Sequence, residues 1–383
     1  MSAGLDIVPG VPTVENVPGR RSAAAPSGRL ALRERPASAR DQLAGQRLAG
    51  DEQQPPPRTG AKKSAALQWA WVLALLAVAV GLSILRLVDA PIVVHQSFAA
   101  ALGVLLAIGL AVRGGGSPTV PALLAVAVGV GAVVAEWPPL LAGAAAATAV
   151  LAACLAVLAT RPAATILAAI GEVVLALLLA SLGAFAVASF SVRLEVERFG
   201  YLVIGVAFLA TVALVYRLAG GLHSLGRRGL VLAAGATVLL IVVLVYTAAL
   251  SRYGSPELVA QVRSAREWLL DLLGGVPHPV ETLIGIPALV WGVSMRSRRR
   301  QGWWVCAFGA TATAAVTHRV LLTDVFTMEA VLAAAYSLVI GLLLGFVLIR
   351  LERLLTGRSS RGPADAALPS PGREEPGRLK PLH

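Results

Sequence analysis

One glutamate inside a long apolar run is the residue that points most directly to chemistry. Glu172 lies ten residues into a run that begins near Ala163. At 1.5 Å per residue, a helix would carry its carboxylate to a depth of about 14 Å, close to the centre of a bilayer. A carboxylate at that depth is costly to desolvate and must be neutral or paired. We therefore expect Glu172 to be a proton or cation relay, a substrate contact, or a protonated carboxyl group that hydrogen-bonds a neighbouring helix.

A second group of polar residues falls at the ends of two apolar runs that are neighbours in the sequence. The group consists of His278, Glu281, His318, Arg319 and Asp324. Imidazole groups that converge with a carboxylate could bind a metal ion or an anionic headgroup. Their spacing matches no metal-ligand motif, and histidine and arginine are also common at membrane interfaces. The predicted substrate- or ion-binding residues are Glu172, His278, Glu281, His318 and Arg319.

Motifs that would indicate an enzyme are missing from the sequence. It contains no G-x-x-x-x-G-K-[ST], H-E-x-x-H or G-x-S-x-G motif and no dinucleotide-binding glycine fingerprint. Cys154 and Cys306 lie in separate apolar runs and are predicted to form neither a disulfide nor a metal site. A further histidine, His95, is expected on the same side of the membrane as the polar group. No catalytic residue, metal ligand or cofactor is predicted.

The elements that must position these residues are transmembrane helices. Hydrophobic residues make up 57% of the 383-residue chain and charged residues only 14%, whereas soluble domains are about a quarter charged. The apolar residues come in blocks, most of them near the ~20 residues that cross about 30 Å of hydrocarbon as a helix. The predicted fold is an all-α integral membrane bundle of about ten spanning helices. The spans are predicted near residues 66–86, 92–112, 119–136, 139–160, 163–190, 201–217, 229–250, 277–295, 303–322 and 329–350.

The predicted transmembrane domain occupies residues 64–354 and lies between two basic tails. Residues 1–63 are rich in proline, glycine, arginine and alanine, and residues 355–383 contain two further Pro-Gly-rich stretches. Such segments cannot bury enough apolar surface to offset their chain entropy. Both tails are predicted to be disordered.

The distribution of charge predicts how the bundle is oriented. If the N-terminus is cytoplasmic, the inner loops hold nine arginines and no acidic residue, whereas the outer segments hold seven arginines and ten acidic residues. The positive-inside rule requires this asymmetry, so we expect a multi-pass plasma-membrane protein with both termini in the cytoplasm. The net charge of +12 has the same cause. The expected partners are the bilayer, anionic headgroups at the inner loops and other membrane proteins, but not nucleic acid.

The longest predicted outer loop contains an amphipathic helix near residues 256–273. Ser255 supplies a capping side chain, Pro256 suits the first turn, and Gly274 and Gly275 end the run. Apolar residues recur between these limits at helical spacing. The helix is predicted either to lie on the outer leaflet or to pack across the mouth of the bundle.

Proline and small residues shape the last three predicted spans. Pro287 should kink the eighth span, and broken helices mark binding sites in transporters, although a kink used only for packing is commoner. Small residues fill 309–315, and Gly341 and Gly345 lie four apart in the next span. Such residues let helix backbones approach closely, and we expect that contact to be within the bundle more often than in a dimer.

Three functions are compatible with this sequence. The first is a secondary transporter or permease for a small or lipid-like substrate, with its site between helices. The second is a non-catalytic scaffold or subunit of a larger envelope complex, and the third is a membrane enzyme that acts on lipid-linked substrates. A polar cavity that reaches Glu172 would favour the first. A solidly packed bundle would favour the second, and a headgroup-sized pocket at His278, Glu281 and His318 the third.

Overall fold

A computed structural model of the chain describes residues 59–85, 87–88, 90–192, 195–218, 226–299, 301–322, 328–357, 376–378 and 380–382. Within these residues the secondary structure is helical and contains no strand. The helices are α1 (Thr59–Leu85), α2 (Ile92–Arg113), α3 (Thr119–Ala135), α4 (Pro138–Leu158), α5 (Ile166–Ser189), α6 (Val196–Leu218), α7 (Gly226–Tyr253), α8 (Pro256–Leu273), a π-helical turn (Glu281–Gly285), α9 (Ile286–Arg296), α10 (Gly302–Leu322) and α11 (Met328–Gly357).

Seven of the described helices are long and apolar enough to cross a membrane. They are α1, α2, α4, α5, α6, α7 and α11. The three other predicted spans correspond to α3, which is only 17 residues long, to the π turn followed by the 11-residue α9, and to α10. An all-helical membrane fold therefore follows from sequence and structure alike, with seven helices rather than ten meeting the criteria of length and composition.

The centre of the bundle is α10, because its small residues admit close neighbours. Every residue but one from Gly302 to His318 is buried. The helix packs against α4, α5, α6, α9 and the π turn. Small-to-small contacts of this kind let backbones approach in a membrane, where the hydrophobic effect gives no driving force between helices.

Hydrogen bonds join helix ends at two places, which we call the two ends of the bundle. At one end the Arg113 side chain of α2 donates to the carbonyl of Leu158, the last residue of α4. The Arg296 side chain of α9 donates to the carbonyl of Thr160, just after α4. We call this the basic end, and define it by Arg113, Thr160 and Arg296. At the other end His318 of α10 contacts Val196, the first residue of α6, while His278 leads into the π turn. We call this the histidine end, and define it by these two histidines and Val196.

A π turn lies just before Pro287, the residue at which a kink is predicted. Proline has no N–H to donate to the carbonyl group four residues earlier, so the regular ladder cannot pass through it. Just before it, the Ile286 N–H donates to the Glu281 carbonyl, five residues back. The helix is thus widened at Glu281, one of the predicted site residues.

The amphipathic helix α8 begins at Pro256 and ends at Leu273, as the capping residues in the sequence predict. The Ser255 hydroxyl accepts from the Leu258 N–H at 3.3 Å, and Gly274 ends the helix with a φ of +68°. None of its residues is buried. The Tyr336 hydroxyl of α11 donates to the Leu273 carbonyl at 3.0 Å, which fixes the end of α8 on the bundle.

Close packing on α10 predicts that one added methyl group destabilises the fold. In Gly285→Ala the new Cβ would meet the Ala312 Cβ and lie 2.5 Å from the Ala312 nitrogen. Overpacking of this kind costs about 1–3 kcal/mol. In the control Gly205→Ala the new Cβ has nothing within 4 Å, and helix propensity gains up to ~1 kcal/mol. Thermal unfolding in detergent should show a lower Tm for the first variant only, and equal Tm values would contradict the packing described.

Candidate functional site

Four of the five predicted site residues converge at the histidine end. His278, Glu281, His318 and Arg319 come from the segment before the π turn, the π turn itself and the last turns of α10. Arg319 Nη2 donates to both carboxylate oxygens of Glu281, at 2.7 and 2.6 Å. The Glu281 side chain is 1% exposed and that of Arg319 is 14% exposed. The pair is therefore a buried salt bridge, in which each charge depends on the other for its stability.

The two histidines form the second half of this site. Their ring centroids are 5.7 Å apart and the rings lie edge to face. His318 Nδ1 is 3.2 Å from the Val196 carbonyl oxygen, and the ring stacks on Tyr201. Glycine at position 200 is required here, because a Cβ would collide with the His318 ring.

His278 is held by its backbone and leaves a ring nitrogen available. Its N–H donates to the Ser337 hydroxyl of α11 at 2.9 Å. Its Nδ1 is buried and has no hydrogen-bond partner among the described residues. A cavity of about 80 Å³ lies between the two histidines, α6 and α7. This space is large enough for one or two water molecules and too small for a headgroup.

A longer groove begins at the salt bridge. It has a volume of about 340 Å³ and lies between α5, α10 and α11, with Glu281 and Arg319 in its lining. Most of the other lining residues are apolar, and along α5 they extend from Val174 to Phe185. Eleven residues of helix correspond to about 16 Å, which is roughly half of the ~30 Å hydrocarbon thickness. The groove therefore has the charged Glu281–Arg319 pair at one end and an apolar wall whose length is about the thickness of one leaflet.

Glu172 lies at the basic end, apart from the four converging residues. Because α5 begins at Ile166, the carboxylate is six residues into the helix, or about 9 Å from its start, rather than at the expected mid-membrane depth. Arg378 binds it with both terminal nitrogens, with Nη2 at 2.6 Å from Oε1. The Arg161 N–H donates to Oε2 at 2.9 Å. Glu172 is thus a paired carboxylate, and its partner comes from the C-terminal segment that was expected to be disordered.

Three arginines surround the carboxyl end of α4, an arrangement that sequence reasoning missed. Arg113 Nε donates to the Leu158 carbonyl at 2.8 Å, Arg378 Nη1 to Ala159 at 3.3 Å and Arg296 Nη2 to Thr160 at 3.0 Å. The last carbonyl groups of a helix lack intrahelical donors and carry the negative end of its dipole. The signal in the sequence is that Arg113 and Arg296 each end an apolar run, but nothing there says that they turn inward.

The remaining candidates lie elsewhere. His95 bridges the α1–α2 connection, with Nε2 at 3.0 Å from the Leu85 carbonyl oxygen and Nδ1 at 3.3 Å from that of Pro91. Asp324 falls outside the described residues. Cys154 and Cys306 are both buried, and neither is in a disulfide. In the part of the chain that the structure describes, no three His, Cys, Asp or Glu side chains are grouped so that they could hold a metal ion.

Comparison of the chain with protein-family models, with curated proteins and with solved structures finds no match. The described part of the chain has the fold of an all-helical protein with seven helices that are long and apolar enough to span a membrane.

The burial of the Glu281–Arg319 pair predicts a large and unequal response to mutation. Glu281→Ala should lower the free energy of unfolding by about 3–5 kcal/mol, because it leaves the Arg319 cation buried without its carboxylate. Replacing both residues by methionine should restore most of that loss. The measurement is denaturant-induced unfolding in mixed micelles, followed by circular dichroism.

The matched control is Glu195→Ala, which breaks the exposed Glu195–Arg198 pair, whose side chains are 70% and 77% exposed. It should cost less than about 1 kcal/mol. Equal losses for the two alanine variants would contradict the burial of the Glu281 carboxylate.

Proposed function

We propose that the protein is a membrane permease for a lipid-like amphiphile, which it binds in the groove between α5, α10 and α11. The observation that carries this proposal is that one continuous groove combines the Glu281–Arg319 pair with an apolar wall. An amphiphile presents the same combination, with a polar headgroup and an apolar chain. Ionisable residues inside a membrane are costly and tend to mark functional sites.

The size and position of the groove support a lipid-like substrate over a small polar one. Its volume of about 340 Å³ lies in the range of ~300–1,000 Å³ that is typical of small-molecule sites. Its length along α5 matches one leaflet, so an acyl chain would lie parallel to the chains of the bilayer lipids. Exposed apolar residues such as Leu178 and Val331 stand at its rim, which would let a lipid enter sideways from the bilayer.

The salt bridge supports a headgroup that carries both donors and acceptors. Glu281 and Arg319 neutralise each other, so a purely anionic headgroup would have to displace Glu281 from Arg319. A zwitterionic or hydroxyl-bearing headgroup can instead bind Arg319 through an anionic or carbonyl oxygen and Glu281 through an N–H or O–H group. The groove is therefore expected to prefer such lipids over singly charged acids.

The π turn beside the site favours a transport function over static binding, because a broken helix lets the site move. Glu281 opens the π turn, and Pro287 follows that turn two residues beyond its end. Helices broken near a binding site are typical of transporters, and π turns recur at functional sites. The groove begins at the histidine end, while the arginines hold the basic end together. Such an arrangement corresponds to one state of an alternating-access cycle.

The proposed orientation of the bundle in the membrane rests on the distribution of its charged residues. The positive-inside rule favours the basic end in the cytoplasm, so the groove would draw its substrate from the outer leaflet of the plasma membrane. The exposed apolar residues of α8, including Leu258, Val262 and Trp268, fit a helix that lies on that leaflet.

A membrane enzyme that acts on lipid-linked substrates is the second candidate. The observation in its favour is His278, which lines a small cavity beside His318 and whose buried Nδ1 has no hydrogen-bond partner among the described residues. A general base needs a free ring nitrogen within reach of a substrate proton. A product that appears only when His278 is intact would favour this function over transport.

Binding is tested by photocrosslinking in vesicles that contain a phosphatidylcholine analogue with a photoactivatable acyl chain. We expect crosslinked peptides from the groove-facing parts of α5, α10 and α11. Leu178→Trp should fill the groove and reduce this crosslinking about tenfold, which corresponds to about 1.4 kcal/mol of binding free energy. The matched control is Leu209→Trp on α6, because Leu209 is 66% exposed and Leu178 is 60% exposed. Crosslinks spread evenly around the bundle, unchanged in Leu178→Trp, would contradict the proposed site.

Transport is tested in the same vesicles with a headgroup-labelled fluorescent phosphatidylcholine and a membrane-impermeant quencher. The wild type and Leu209→Trp should make the inner-leaflet label accessible, and Leu178→Trp should not. Crosslinking in the groove without movement of the label would exclude a permease for this lipid and leave lipid binding in place.

A further inference from the structure

The most specific interaction outside the groove joins the C-terminal segment to the basic end. Arg378 binds the Glu172 carboxylate with both terminal nitrogens and the Ala159 carbonyl with one of them. Arg113 Nη1 donates to the carbonyls of Gly377 and Lys380, at 2.7 and 2.9 Å. The segment is therefore bound at two points. The Glu172 carboxylate binds its Arg378 side chain, and the Arg113 guanidinium binds its backbone carbonyls.

A third contact seats the segment against the core. The Leu382 N–H donates to the Arg113 carbonyl oxygen at 3.3 Å. The Leu382 side chain packs on the cluster of buried residues that includes Ala163, Val293 and Trp303. The segment thus covers an apolar surface of the basic end in addition to its ionic contacts.

The site on the helices that binds the Arg378 side chain has the chemistry of a guanidinium-binding site. It offers acceptors in two directions, namely the two carboxylate oxygens of Glu172 and the carbonyl at the end of α4. The planar fork of an arginine side chain presents donors in that geometry, whereas a lysine ammonium cannot bind both carboxylate oxygens side by side. The Arg161 N–H also donates to this carboxylate, at Oε2. These groups belong to α4, α5 and their connection, so the segment adds the ligand and not the site.

Arg378 is more exposed than the two other arginines at this end and lies outside the described helices. Arg113 and Arg296 are 1% and 0% exposed, respectively, and belong to helices of the bundle. The Arg378 side chain is 36% exposed and lies outside every described helix. Its departure would leave a largely buried carboxylate without its cation, so an open basic end requires another cationic ligand or a proton at Glu172.

We propose that residues 376–378 and 380–382 form a latch that closes the basic end by inserting Arg378 into a guanidinium-binding site at α4 and α5. The latch ties the start of α5 to the ends of α2 and α4. Glu172 lies two residues from Val174, at the deep end of the groove, so release of the latch frees the stretch of α5 that a substrate must pass to reach the basic end. The docking itself does not depend on the proposed transport.

The test measures how readily trypsin cuts the Arg378–Leu379 bond in the full chain in detergent. Release of the peptide Leu379–His383 is followed by mass spectrometry. The docked segment should be protected in the wild type. Glu172→Gln should raise the cleavage rate about tenfold or more, a factor that corresponds to about 1.4 kcal/mol. Glu195→Gln, at the exposed pair on α6, should leave the rate unchanged.

A second variant guards against misfolding of Glu172→Gln. Arg378→Lys keeps the positive charge and the trypsin site but loses the fork, and it changes no residue of the helices. It should raise the cleavage rate while leaving the Tm of the bundle near that of the wild type. Fast cleavage in all four proteins would show that the segment is not docked. Slow cleavage in Glu172→Gln or in Arg378→Lys, including slow cleavage in all four proteins, would show that the Glu172–Arg378 pair does not hold the segment in place. Each of these results overturns the latch, and none of them bears on lipid binding in the groove.

Discussion

The basic end depends on how the last carbonyl groups of α4 are satisfied. The carbonyls of Leu158, Ala159 and Thr160 are bound by arginines from three different parts of the chain. A buried helix end without donors would be unstable, and a buried guanidinium without acceptors more so. Each group therefore supplies what the other lacks. The same contacts fix the relative positions of α2, α4, α5 and α9, including the connection that presents the Arg161 N–H to Glu172.

The opposite end of the bundle is built differently, around the Glu281–Arg319 salt bridge and the π turn. The small residues of α10 let α4, α5, α6 and α9 pack closely around it, and its last turn carries His318 and Arg319 to the histidine end. There the π turn that starts at Glu281 precedes α9, and the groove lies between α5, α10 and α11. In the proposed permease, the small-residue core would be the fixed part and the segment around the π turn the part that moves.

Local features of the sequence predicted more than long-range ones. Apolar length predicted about ten spans, of which seven are described helices long and apolar enough to cross a membrane. The caps at Ser255 and Gly274 predicted α8, because capping depends on neighbouring residues. The convergence of Glu281 with Arg319 could be anticipated because both apolar runs end on the same side. The partner of Glu172 could not, since Arg378 lies 206 residues away in a segment whose composition indicates disorder. Arg113 and Arg296 were expected to face headgroups, and only the tertiary structure turns them toward α4.

The most direct test of this account is a structure of the protein in a lipid nanodisc, determined with a rigid binding protein attached to the histidine end. We predict an elongated density between α5, α10 and α11, with its polar end at Arg319 and its chain extending towards Val174. The carbonyl groups at the end of α4 should be bound by the three guanidinium groups in the same map. A groove filled by protein side chains, with Glu281 and Arg319 sealed from lipid, would contradict the account.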